Sequence, residues 1–258
     1  MNKTFEKLTK LAEERSAKLS LPDRVPYPQL PSIGALNQEQ QWISIKWSID
    51  SAEKHGKSAL IGLALTFGRI IQAKYLETLV MDARMRSQGV SDMSIMLWES
   101  DVPLTAKAEK IDDLLLPDTL AGPVSFTESI LISAPWERFR LFRALENLGK
   151  YNWRQDRNHY AVIWYPWPII WVTNGYHSTS VAAMYGKGTL CDLPCYDAKK
   201  LLSAVKPDGQ NWLRTYDNSV IETIYSLPMA AIFEIGRRLI ALDEPPAESP
   251  NSEPHSPM

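Results

Sequence analysis

Apolar and polar positions alternate along this chain with two periods, one near 3.6 residues and one near 2. Phe5, Leu8, Leu11 and Ala12 fall on one helix face, so residues 1–20 predict an amphipathic helix. Four prolines between 21 and 35 predict an extended connector. Helical spacing returns over Gln38 to Glu53 and again from Ser58 to about Arg86. The most apolar stretch, Ser58 to Ile71, is too short to span a bilayer and holds Arg69, so a buried helix is the expectation. Residues 87–125 are cut into short pieces by Pro103, Pro117 and Pro123 and by Gly89 and Gly122.

From Phe126 the period shortens. Phe126 to Ser133 alternates as a strand does. A helix is expected between Pro135, placed where a first turn starts, and Gly149, placed at its end. Two β-rich runs, Asn158 to Trp164 and Ile169 to Thr173, flank Tyr-Pro-Trp-Pro at 165–168, where prolines fit a turn but not a central strand. They predict a hairpin. Asn174-Gly175 is a tight-turn signal, followed by a short helix from Ser178 to Tyr185. Two more helices are expected near 197–205 and 219–241, then a disordered tail over 244–258 with five prolines.

Lys and Arg number 28 against 30 Asp and Glu, which excludes a globally basic nucleic-acid binder but not a local basic patch. Nine tryptophans belong in a core or an interface. Cys191 and Cys195 make neither a disulfide framework nor a zinc site. The first nineteen residues mix Lys and Glu and do not read as a signal peptide, so a cytoplasmic protein without membrane insertion is expected.

One region carries chemistry. Between 135 and 160 there are six basic residues (138, 140, 143, 150, 154, 157) and three acidic ones (137, 146, 156). Arg138 falls among Leu141, Phe142 and Leu145 on the apolar side of its helix, so it is snorkelling, buried with a partner, or lining a polar pocket. Arg140 and Arg143 read as surface charges, with Glu137 a natural ion-pair partner for Arg140. After the Asn174-Gly175 turn a helix begins with Ser178, Thr179 and Ser180. Its first N–H groups lack backbone partners and carry the positive end of the helix dipole, which suits phosphate. The alternative is that Ser178 or Thr179 is only an N-cap. Of four histidines, His159 and His177 fall in this unit, each able to bond a phosphate or move a proton, or to serve structure alone. Asp156 with the two histidines makes at most a weak metal site, because nothing fixes the spacing. His55-Gly56-Lys57-Ser58 looks like the end of a phosphate loop, but Ser51 stands where that loop needs glycine.

The stretch Ile163 to Leu190, and above all Asn174, Gly175, Tyr176, His177, Ser178 and Thr179, resembles the ParB/sulfiredoxin superfamily, in which a strand runs into a similar turn and a phosphate-holding helix start. Within it the chain looks most like plasmid fertility-inhibition proteins of the Osa and FiwA type. The resemblance implies an α+β fold. A ParB/sulfiredoxin-like core at 125–190 would stand between a helical region at 1–124 and helices at 191–243, with the tail beyond. It implies ATP as cofactor, with Mg as a divalent metal, and ATPase and DNase activity. The implied role is to block conjugative DNA transfer through a type IV secretion system, acting on the transferred DNA or the coupling protein. The implied nucleotide-binding residues are Asn174, Gly175, His177, Ser178 and Thr179, with His177, His159 and Arg138 in catalysis. Sulfiredoxins carry cysteine where Tyr176 stands, so their reductase chemistry is not expected. Partition proteins carry a second basic residue where Ser178 stands, which throws phosphate binding onto backbone N–H groups, His177 and hydroxyls. Two other readings remain open: a non-enzymatic inhibitor that uses its tryptophans as anchors on a secretion or coupling protein, and a nucleotide-sensing DNA-binding regulator.

Overall fold

The Tyr160–Tyr165 strand (β4) and the Ile169–Asn174 strand (β5) form the expected antiparallel hairpin, with Val162 opposite Trp171 and Ile163 opposite Ile170. The structure, a computed structural model, describes residues 36–81, 96–167 and 169–243, with the backbone alone at 119–121. The helix expected over 1–20, the connector at 21–35 and the tail at 244–258 lie outside the described residues. The fold is α+β. The Tyr165–Pro166 peptide bond is cis.

Chain order runs α1 (Gln38–Lys54), α2 (Lys57–Met81), α3 (Ile111–Leu114), β1 (Leu116–Ala121), β2 (Val124–Ser125), β3 (Ile130–Ile132), α4 (Arg138–Lys150), then the hairpin. After it come α5 (Tyr176–Met184), β6 (Thr189–Leu190), β7 (Leu193–Asp197), α6 (Lys199–Ala204), β8 (Val205–Pro207), β9 (Asn211–Arg214), β10 (Val220–Thr223) and α7 (Leu227–Asp243). Five strands form one mixed sheet in the order β1-β7-β4-β5-β3. β4 pairs parallel with β7, and β5 pairs parallel with β3. Side chains on a strand alternate between faces, so the hairpin register sorts the core. Trp164, Ile169 and Trp171 join Leu60, Ala64, Phe233 and Ile235 of α2 and α7 on one face. Ala161, Ile163, Ile170 and Val172 join Leu141 and Leu148 of α4 and Val181 of α5 on the other. Helices thus cover both faces of the hairpin, which is why β5 is buried from Ile169 through Val172 instead of alternating.

Several expectations need correction. Phe126–Ser129 is a turn rather than strand: the Glu128 N–H donates to the Ser125 carbonyl, and Ser129 Oγ donates to the same oxygen. Only Ile130–Ile132 pairs. α4 starts at Arg138 with Glu137 extended at its N-cap, so Pro135 precedes the helix instead of opening it, and Gly149 sits in the last turn. α5 starts at Tyr176, two residues before the expected Ser178. The helix expected at 219–241 starts at Leu227, and before it a second sheet, ordered β10-β9-β8, occupies 205–223. α2 runs 25 residues, well past the apolar core seen in sequence, and by length and composition meets the requirement for crossing a membrane. Its stripe Leu60, Ala64, Gly68, Ile71 and Leu79 packs into the core. At Gly68 a Cβ would lie 2.7 Å from Ile130 Cγ2, so α2 approaches β3 as closely as it does because that residue is glycine.

Candidate functional site

β5 ends at Asn174, and Gly175 turns the chain into α5 with φ +83°. Two demands fall on Gly175. L-residues avoid that φ, and a Cβ would lie 2.6 Å from His159 Cδ2 and 3.1 Å from the Asn158 carbonyl. The Asn174 side chain accepts the Gly175 N–H at 2.9 Å, which stabilises the turn. With Gly175 as N-cap, the first intrahelical bond runs from the Thr179 N–H to the Gly175 carbonyl. The N–H groups of Tyr176, His177 and Ser178 therefore have no carbonyl one turn back within the helix.

A polar cluster beneath holds this helix start in place. Gln72 of α2 donates to the Ser133 carbonyl at 3.0 Å and to Ser180 Oγ at 3.2 Å, and accepts from the Ser133 N–H at 3.3 Å. Ser133 Oγ donates to the Tyr176 carbonyl at 2.9 Å. Buried polar groups cost free energy unless bonded, and here α2, β3 and α5 satisfy one another.

Above the turn lies an open cleft of about 420 Å³. One stripe of α4 and its C-cap line it: Arg140, Arg143, Ala144, Asn147 and Leu148, then Tyr151. These positions follow helical spacing. Arg154, His159, Gly175, His177 and Ser178 also line it. Three arginines and two histidines line the cleft, and none of its lining residues is Asp or Glu. Arg140 is partly neutralised, with its Nε 2.8 Å from Glu137 Oε2 as expected, and its guanidinium lies 4.9 Å from the centre of the Trp136 ring.

His177 is buried at the joint of α4 and α5, and its Nε2 accepts the Glu137 N–H at 2.9 Å. Burial, then the charge of Arg140, hold its pKa below the ordinary histidine value, while Glu137 pulls the other way. The ring is therefore neutral near pH 7, which its acceptor role requires. His159 Nε2 lies 2.7 Å from Ser178 Oγ. Its Nδ1 lies 3.0 Å from the Asp156 N–H nitrogen and 2.9 Å from Asp156 Oδ1. Ser178 Oγ also donates to the Gly175 carbonyl at 3.0 Å.

The structure thus gathers His159, Gly175, His177 and Ser178 around one cleft and leaves three expected residues outside it. Arg138 donates from Nε to the Leu79 carbonyl at 3.1 Å and from Nη2 to the Val80 carbonyl at 2.9 Å. It serves the last turn of α2, where free carbonyls and the negative dipole end favour a cation. This corrects the expectation that it charges the pocket. Thr179 faces inward, with Oγ1 against the Gly175 and Tyr176 carbonyls and Ser133 Oγ. Asn174 contributes through the turn. Arg140 and Arg143, read as surface charge in the sequence, and Arg154, counted there only in the basic patch, are the cations of the cleft; the signal for the first two was their helical spacing against Asn147. Among the described residues no three His, Cys, Asp or Glu side chains converge on a metal position, so Asp156 with the two histidines makes no cage.

A family described as "Family of unknown function (DUF6710)" matches residues 36–245. The chain belongs to this family. Its matched span takes in all three sheets and every described helix from α1 to α7. Comparison with curated proteins finds no match, and comparison with solved structures finds none.

Proposed function

We propose that this DUF6710 protein binds the phosphates of a nucleotide, ATP by preference, in the cleft between α4 and the start of α5. The observation that carries the reading is the lining: Arg140, Arg143, Arg154 and two histidines beside Gly175 and Ser178 at the start of α5, whose first N–H groups lack intrahelical partners, with no carboxylate among the lining residues. Helix N-termini attract phosphate through oriented N–H groups and the dipole, and guanidiniums add paired, charge-assisted hydrogen bonds. The volume of about 420 Å³ lies in the range of small-ligand clefts. Following the resemblance of the turn to fertility-inhibition proteins, we assign this binding to the control of conjugative DNA transfer, with ATP hydrolysis and DNA cleavage as the activities to assay. The reading that tryptophans anchor a partner has little to work with: six of the nine are buried, and Trp47 alone stands widely exposed, at 72%.

Calorimetric titration with ATP tests the proposal. Wild type should bind, and Arg143→Ala with Arg154→Ala should weaken binding about tenfold or more, as loss of charge-assisted contacts predicts. Equal affinity in wild type and the double variant contradicts it, as does binding that ignores salt. A transfer assay with the same double variant tests the biological role, which requires that inhibition fall with ATP affinity.

A further inference from the structure

We propose that Ser178 is a phosphoryl acceptor: its hydroxyl, served by His159 as base and Asp156 as orienting group, takes the terminal phosphoryl group of the nucleotide and then loses it to water. The inference rests on the nucleotide reading above and adds a covalent step to it.

The distances are those of a nucleophile, a base and an orienting carboxylate. Ser178 Oγ is 2.7 Å from His159 Nε2, and His159 Nδ1 is 2.9 Å from Asp156 Oδ1. A nucleophile and base within hydrogen-bond reach, with a third group fixing the base, is the general signature of an activated hydroxyl. The two partners Asp156 offers to Nδ1 correspond to two tautomers of one ring. When Nδ1 accepts the Asp156 N–H, Nε2 carries the proton and donates to Ser178 Oγ, whose own proton goes to the Gly175 carbonyl. When Nδ1 carries the proton and donates to the Asp156 carboxylate, Nε2 is free to accept from the serine. In the second tautomer the Nδ1 proton would face the Asp156 N–H, so the exchange also requires residue 156 to turn its N–H aside and leave the carboxylate as the partner of Nδ1.

Ser178 also occupies the place where a phosphate would sit. It lies in the first turn of α5 and lines the cleft together with His159, Arg143 and Arg154. Guanidiniums there would meet the charge that spreads over the equatorial oxygens of a transferring phosphoryl group. In the first step Ser178 Oγ forms a bond to the terminal phosphorus, the bond from that phosphorus to the bridging oxygen breaks, and ADP leaves with the electron pair. The serine proton passes to His159 Nε2 and on to solvent. In the second step water attacks the same phosphorus and gives its proton to His159. The bond from Oγ to phosphorus then breaks, and Ser178 recovers a proton. The sum is ATP plus water to ADP plus phosphate, with no change of oxidation state.

The test incubates the full chain with ATP, quenches in acid, and maps phosphate by tandem mass spectrometry. Phosphate is expected on Ser178, forming about 10²- to 10⁴-fold more slowly in His159→Gln, the usual worth of a positioned base. Glutamine can still donate to Ser178 Oγ, so this variant keeps the link between β4 and α5. Asp156→Asn, which removes the orienting charge, should lower kcat for ATP hydrolysis and leave KM unchanged, a split that a purely structural role would not produce. A wild type that binds ATP calorimetrically but never carries phosphate on Ser178 overturns this inference and leaves the binding reading intact. Phosphate on Ser178 at an undiminished rate in His159→Gln also overturns it. A wild type that does not bind ATP at all removes both readings.

Discussion

Replacing Gly175 by alanine tests whether the corner between β5 and α5 is built as described. The residue sits at φ +83°, where an alanine Cβ crowds its own backbone. That region costs an L-residue about 1–2 kcal/mol. The new methyl would also lie 2.6 Å from His159 Cδ2 and 3.1 Å from the Asn158 carbonyl, so either the ring or the backbone must shift. Displacing the ring also weakens its 2.7 Å link to Ser178 Oγ, worth about 0.5–1.5 kcal/mol as a net hydrogen bond. Together these give about 1.5–3.5 kcal/mol. At about 2–4 °C per kcal/mol for a chain of this size, Gly175→Ala should melt roughly 3–14 °C below wild type. Thermal unfolding followed by circular dichroism reads this directly. ATP affinity should fall with it, because the first N–H groups of α5 are re-aimed. A variant as stable as wild type, with unchanged affinity, would refute both the left-handed turn and the close approach of His159.

Other outcomes follow from the same contacts. Arg138→Ala should lose about 1–2 kcal/mol by freeing the Leu79 and Val80 carbonyls, while ATP binding holds; urea titration beside calorimetry separates the two. Gln72→Leu should cost about 1–3 kcal/mol, since it leaves the buried Ser133 N–H without its partner, and a melting point unchanged from wild type contradicts this. Stability should depend on His177 below neutral pH. Its folded pKa lies under the ordinary 6.5, so the unfolded chain binds the extra proton first. Stability is then full above about 6.5, falls as pH drops below it, and levels off once pH is beneath the folded value. Denaturant titrations of wild type and His177→Gln between pH 7.5 and 5.5 should diverge over that window, and parallel curves count against the neutral acceptor role.

Local signals in the sequence carried the hairpin and the turn, because β-branched runs, prolines and Asn-Gly act over a few residues. They misplaced what depends on distant partners. Pro135 has the fixed φ of a first helical turn, yet α4 waits until Arg138, and the Glu137 N–H is taken by His177, forty residues on. Val220 to Thr223 reads as the lead-in to a helix until Asn211–Arg214 pairs with it as a strand. Arg138 was legible as an arginine out of place on an apolar stripe, but its partners are carbonyls of α2, which no spacing near 138 reveals. The site itself was half legible. Gly175, His177 and Ser178 announce a strand, turn and helix start, and His159 joins them through the hairpin register. Arg140 and Arg143 looked like ordinary surface charge, because whether a helix face meets water or a groove is decided by the element packed beside it.

The central claim is that an anion sits at the first turn of α5. Amide chemical shifts recorded while ATP is titrated into isotope-labelled protein report on that turn residue by residue. The account predicts saturable shifts at Gly175, Tyr176, His177 and Ser178 and along the Arg140–Tyr151 face of α4, with the β8-β9-β10 sheet undisturbed. Unmoved amides at 175–178 under saturating ATP, or shifts confined to other parts of the molecule, would contradict it.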